Sequence, residues 1–228
     1  FYDFDGNQVE APKAKSADIS AEDVIAKYVE AVGGKAAIDK VESYKTEGVM
    51  SMMGQNVNIL VAFKKPSNVA THITMGDMVI QKIIYDGKTL KMSGMQGEKE
   101  LTEGAEVDEM KNNAGLCNEQ NYIANGYQLS VEGVEPVNGK DAYVLKVNKG
   151  KVSMTEYYDV ESGLKVKTVA TVEGPQGEIQ QVTEISDYKE VDGVKVPFLM
   201  KQNMMNMATT TTLTSVEINK PIDESLFK

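Results

Sequence analysis

Apolar and polar residues alternate through much of the stretch from Val41 to Gly94. Val57, Ile59, Val61 and Phe63 occupy every second position, with Asn56, Asn58 and Lys64 among the residues between. That period of two predicts a strand with one greasy face and one wet face. Val69, Thr71, Ile73 and Met75 repeat the pattern. Met78, Ile80, Ile83, Ile84 and Tyr85 alternate less strictly, as expected of a strand covered on both sides. Met53-Gly54, Lys65-Pro66-Ser67, Gly76-Asp77 and Asp86-Gly87 punctuate the run as turns. Asp86-Gly87 predicts a type I′ hairpin, which needs positive φ at both central residues. Strands joined this tightly lie antiparallel, so the stretch reads as a meander whose apolar face needs a cover.

The periodicity changes on either side. Ser20 is placed to cap a helix, with Glu22 and Asp23 in the first turn. Val24, Ile25, Tyr28, Val29 and Val32 make one apolar stripe at helical spacing, and Gly33-Gly34 ends it. Residues 35–41 read as a second short helix. Between Glu103 and Asn125, Val107, Met110, Leu116 and Ile123 are widely spaced among helix-tolerant residues. One or two short helices covering the sheet are expected there; a solvated acidic loop is the alternative. Strand patterns resume at Tyr127 and continue to Val216, giving about ten strands in all. Residues 1–18 read as a linker or tail and 19–228 as one mainly β (α+β) domain. Asp3, Asp5 and Gly6 suggest a calcium loop, but the glycine comes one place too early and the distant glutamate is missing.

Composition narrows the chemistry. The 228 residues carry a formal net charge of −10, and every one of the 24 basic residues is lysine. Without arginine, and with net acidity, the chain is not expected to bind nucleic acid or anionic membranes. No apolar run reaches the ~20 residues of a membrane-spanning helix. The chain begins at Phe1, as expected of a mature product or excised domain. Cys117 and His72 are the sole residues of their kinds, and the sequence around Cys117 has no nucleophile-elbow character. No metal-ligand spacing or phosphate loop is present, so no metal, cofactor or catalytic residue is expected. Thirteen methionines stand beside ten leucines and cluster near predicted strand ends: Met50, Met52, Met53; Met75, Met78; Met92, Met95; Met200, Met204, Met205, Met207. They either line a cavity for irregular guests or replace leucine in the core.

Several stretches carry a family resemblance. Tyr157-Tyr158-Asp159-Val160-Glu161-Ser162-Gly163-Leu164 resembles a Tyr-Tyr-Asp-x-x-Thr-Gly-Leu stretch of LolA-like outer-membrane lipoprotein-sorting proteins. So do residues 187–198, the closing Ile222-Asp223-Glu224-Ser225-Leu226-Phe227, and Tyr28 to Gly34. Together they cover roughly residues 20–228 in the family's order. The resemblance implies an unclosed half-barrel of antiparallel strands with an N-terminal helix and short lid helices on the concave face. It also implies a periplasmic or envelope location and a bound lipid or lipoprotein acyl chain. The apolar candidates for that concave face are Val57, Ile59, Val61, Phe63, Ile73, Met75, Ile80, Met110, Leu116, Met200 and Met204. The family's carrier branch locks its lid with an arginine, which this chain lacks.

The opening Phe1-Tyr2-Asp3-Phe4-Asp5-Gly6-Asn7 and its Lys/Pro linker resemble the tail of pitrilysin-type zinc peptidases. That resemblance implies a covalently preceding peptidase domain, for which this domain would be a non-catalytic accessory. The peptidase motif His-x-x-Glu-His is absent from these residues.

Overall fold

A computed structural model describes residues 15–228 except 53, 96, 151, 175–176 and 205–206. The resemblance drawn from residues 1–7 and the calcium-loop reading lie outside the described residues.

The chain opens with helix α1 (Ala21–Ala31) and the short α2 (Lys35–Asp39). The Ser20 hydroxyl accepts from the Asp23 amide at 3.0 Å, while Glu22 and Asp23 face the positive end of the helix dipole. Gly33 and Gly34 end α1 with φ of 129° and 81°. Six strands follow: β1 (Ser43–Met52), β2 (Gln55–Lys64), β3 (Asn68–Met75), β4 (Met78–Asp86), β5 (Leu90–Gly94) and β6 (Gly97–Leu101). Helix α3 (Ala105–Asn113) and a 3-10 turn (Asn118–Asn121) come next. The second run is β7 (Gln128–Val137), β8 (Lys140–Lys149), β9 (Val152–Asp159), β10 (Lys165–Gly174), β11 (Gly177–Val191), β12 (Val194–Met204) and β13 (Met207–Ile218), closed by a 3-10 turn at Glu224–Phe227.

All thirteen strands form one antiparallel sheet in the order β6-β5-β4-β3-β2-β1-β13-β12-β11-β10-β9-β8-β7. Within each run, neighbours are consecutive strands. The two runs join where β1 pairs with β13, Tyr44 opposite Ile218. β6 and β7 are therefore opposite edges, and residues 102–127 must carry the chain from one to the other. That crossing is why helical segments lie over one face, here called the inner face. The sheet is an unclosed half-barrel.

Two core clusters hold the cover down. α1 buries Val24, Ile25 and Tyr28 against Leu145, Val147 and Tyr158 of β8 and β9. α3 buries Val107 against Phe63, Val69, Tyr85 and Leu90. On the outer face, Ala62 and Ala70 are register partners with no exposed area. Their small side chains let Ile222, Leu226 and Phe227 of the C-terminal segment pack close.

Three expectations change. Among the described residues the strands number thirteen rather than about ten; β5 and β6 have five residues each, and β6 (Gly97-Glu98-Lys99-Glu100-Leu101) is an exposed edge with no apolar alternation to betray it. Asp86-Gly87 does start a hairpin, but only Gly87 has positive φ. The Asp86 carboxylate instead accepts from the amides of Lys88 and Thr89 at 2.9 and 2.7 Å, making a longer side-chain-capped loop. Asn138-Gly139 and Asp192-Gly193 have positive φ at both positions, the type I′ signature. Finally, Lys15, placed in the linker by sequence, already pairs with Val134 on the β7 edge through two backbone hydrogen bonds of 3.0 and 2.8 Å.

Candidate functional site

Strand register sorts the inner face into levels. At one end, Leu101, Leu90, Tyr85, Val69, Phe63, Tyr44 and Ile218 are successive partners across seven strands. Five of them are sealed: Leu90, Tyr85, Val69, Phe63 and Ile218 are all below a tenth exposed. Tyr44 stacks on Phe63 with ring centroids 5.3 Å apart, and burial holds its hydroxyl near pKa 12. This level is filled by the protein's own side chains, α3 included.

Higher up, the face opens. Ile73, Ile59, Gly48 and Leu213 form a second row. Val57, Met50, Thr211, Met200 and Ile185 form a third, across five strands. Val61, Ile59, Ile73, Val57, Met50 and Met200 are only half-buried. At the top Met52 and Met75 are 41% and 39% exposed. The inner face therefore grades from a closed floor to an open apolar trough. Gly48 has no room for a side chain: a Cβ there would come 2.5 Å from the Thr212 carbonyl oxygen.

The expected face residues distribute over this gradient. Val57, Ile59, Val61, Ile73, Met75, Met200 and Met204 share the inner face by register. Phe63 shares it too, but lies in the floor at 4% exposure and is core. Met110 packs partly buried on the Phe63 cluster from α3. Leu116 packs on Val194 and Ile218, and on Val196, Phe198 and Leu213. Ile80 sits at an irregularity in the β3–β4 register, outside the strict alternation. Met53 and Met205 lie outside the described residues. Two surface clefts of about 340 Å³ each lie away from the trough: one beside Lys64, Lys65 and Lys220, the other on the outer face beside Leu60 and His72.

Sequence reasoning missed a buried polar knot. Lys165 of β10 meets Glu119 of the cover and, at 3.0 Å, Glu156 of β9. Tyr158 and Tyr122 donate to the two Glu156 oxygens at 2.6 and 3.0 Å. The Tyr188 hydroxyl donates to the Lys165 carbonyl at 2.9 Å. Burial alone would lower the Lys165 pKa, but Glu119 and Glu156 more than offset it, and the ammonium stands well above its ordinary value. The knot ties the crossing segment to the sheet. Its sequence signal is a carboxylate at an inward position of β9, in the alternation Met154, Glu156, Tyr158.

Cys117 and His72 are on opposite faces. Burial pushes the Cys117 thiol up, and the side chain packs beside the α1 cluster. His72 Nε2 lies 3.0 Å from the Leu226 carbonyl on the outer face. They form no catalytic pair. Among the described residues, no group of three or more His, Cys, Asp or Glu side chains is placed to hold a metal. No described helix is long and apolar enough to cross a membrane.

No protein-family model matches the sequence, and no curated protein matches it. Solved structures do match. A LolA superfamily protein from Nitrosomonas europaea superposes with a TM-score of 0.62 at 11% identity, covering 92% of this chain and 98% of its own. A putative outer membrane lipoprotein-sorting protein domain from Vibrio parahaemolyticus gives 0.63 at 12% identity, covering 91% and 97%. A DUF1329 family protein from Desulfovibrio piger gives 0.61 at 13% identity, covering 91% and 95%. At such identities the likeness is one of fold. With its open thirteen-stranded half-barrel and helical crossing, the chain is LolA-like in fold.

Proposed function

We propose that this domain is a non-catalytic binding module of the bacterial periplasm or envelope that shields an acyl chain, free or lipoprotein-borne, in its inner trough. One observation carries the reading: Met50, Val57, Ile59, Val61 and Ile73 of β1 to β3 offer half-buried apolar side chains above a sealed floor. A soluble domain rarely leaves such a surface without a use. The location rests on the likeness to a putative outer membrane lipoprotein-sorting domain. Burying a 12-carbon chain supplies about 10 kcal/mol gross at ~0.8 kcal/mol per methylene, before ordering costs.

Delipidated protein titrated with laurate and with a synthetic lipopeptide tests this. Native mass spectrometry should show a one-to-one adduct and thermal unfolding should shift upward. Ile59→Glu/Val61→Glu should abolish both, because a carboxylate placed on the trough would have to be desolvated. Absence of any adduct or shift in the parent protein overturns the reading.

A further inference from the structure

Eight large hydrophobic side chains stand exposed among the described residues, and their placement is not random. Six of them, Met52, Met75, Met78, Val79, Met95 and Met207, sit at hairpin tips of the β12–β13–β1–β2–β3–β4–β5–β6 half. The meander brings all these tips to one end of the sheet, opposite the sealed floor. Met95 is the most exposed, at 72%. The tips span roughly 30 Å at ~4.8 Å per strand. They are also almost uncharged: stretches 50–58, 73–81, 92–97 and 202–212 hold a single charged residue, Asp77, in a chain that is 25% charged. In the other half the β8–β9 tip sets Lys149 beside the exposed Val152.

We propose that this methionine rim docks on an electrically neutral lipid surface and that the trough receives its acyl chain directly from there. The second clause rests on the function proposed above; the first does not. Three features select lipid as the occupant. The apolar knobs stand on separate hairpins, so they form a line of points rather than the contiguous patch a protein interface packs around. A lipid surface conforms to separate knobs, and unbranched methionine adapts to its chains. The rim also continues into the trough along β1, from Met52 to Met50 beside Val57, and along β3, from Met75 to Ile73, so a chain leaving a bilayer meets apolar side chains along these two strands. Charge selects the headgroup. A net charge of −10 without arginine opposes an anionic surface, whereas an uncharged rim tolerates phosphatidylcholine.

Flotation with phosphatidylcholine vesicles tests the docking. The parent protein should float with the vesicles, insensitive to salt, and float less as phosphatidylglycerol is added. Met78→Glu/Val79→Glu/Met95→Glu/Met207→Glu changes exposed positions only, none of them in the trough. It should lower the floated fraction about tenfold or more, as apolar insertion is lost, and should still bind laurate supplied in solution. Ile59→Glu/Val61→Glu should float normally and fail to bind laurate. Rim-dependent flotation without laurate binding in the parent would uphold the docking and sink the trough reading. Flotation equal in the parent and the rim variant overturns the docking, as does failure of the parent to float. A dimer dissolved by the rim substitutions would also overturn it, by making a second copy the occupant.

Discussion

Glu119 on the crossing segment and Lys165 on β10 form an ion pair that is almost wholly buried, with side chains 10% and 14% exposed. Lys165 also serves Glu156, which is 2% exposed on its side chain. One ammonium thus stands between two carboxylates, and two tyrosine hydroxyls donate to Glu156. Lys165→Met should therefore destabilise the domain by about 3–5 kcal/mol, because it strands buried negative charge. Urea unfolding measures this, and a loss below about 1 kcal/mol would show that the knot holds nothing down. Limited proteolysis should also find residues 102–127 more readily cut in that variant.

Floor and trough should respond differently to truncation. Phe63→Ala leaves a cavity under α3 and should cost about 3–5 kcal/mol. Ile59→Ala removes a half-exposed side chain and should cost about 1 kcal/mol or less, yet weaken laurate binding. Denaturation midpoints paired with ligand titrations separate the two. Equal costs at both positions would contradict the burial gradient.

Gly33 closes α1 against the β11–β12 turn. A Cβ there would sit 2.3 Å from the Gly193 carbonyl oxygen, at a φ of 129° that other residues avoid. Close by, the Lys195 amide donates to the Val32 carbonyl at 2.8 Å. Gly33→Ala should cost about 1–3 kcal/mol through this clash and backbone strain. A thermal midpoint unchanged from the parent would refute the close approach.

The single histidine gives a pH signature. Burial lowers the His72 pKa, outweighing its hydrogen bond to the Leu226 carbonyl, and Lys82 lowers it further. The folded value thus lies below the unfolded value of about 6.5. The unfolded chain binds the proton more readily, so this contribution to stability is whole above pH ~6.5 and is lost as pH falls through the folded value. Histidine resonances should titrate with a midpoint below 6.5, and His72→Gln should flatten part of the acid-side loss. A midpoint above 6.5 would reverse the assignment.

Much of this architecture could be read from single stretches. Val57 to Phe63 declared their face by alternation, and Ser20 with Gly33-Gly34 bounded α1. Lys65-Pro66-Ser67, Gly76-Asp77 and Asp86-Gly87 marked turns between strands. What stayed hidden depends on partners distant in sequence. β6 is stabilised by pairing with β5 rather than by its own composition. Phe63 and Ile59 look alike in the pattern, yet one lies beneath α3 and the other does not, because only the crossing segment decides which part of the face is covered. Glu119, Glu156 and Lys165 looked like ordinary surface charges until three elements converged on them.

The seam between β1 and β13 also has a consequence for biogenesis. Across the seam, Tyr44 meets Ile218 only after every intervening strand has been made. Until then β1, already paired with β2, offers its other edge of unpaired backbone donors and acceptors to any passing strand. A ribosome-bound or translocating chain is thus vulnerable while β2 to β12 are being made, and the closing of this seam is the slow, non-local step. Chaperone dependence should therefore end abruptly once β13 is available to the sheet, rather than decline gradually as the strands accumulate.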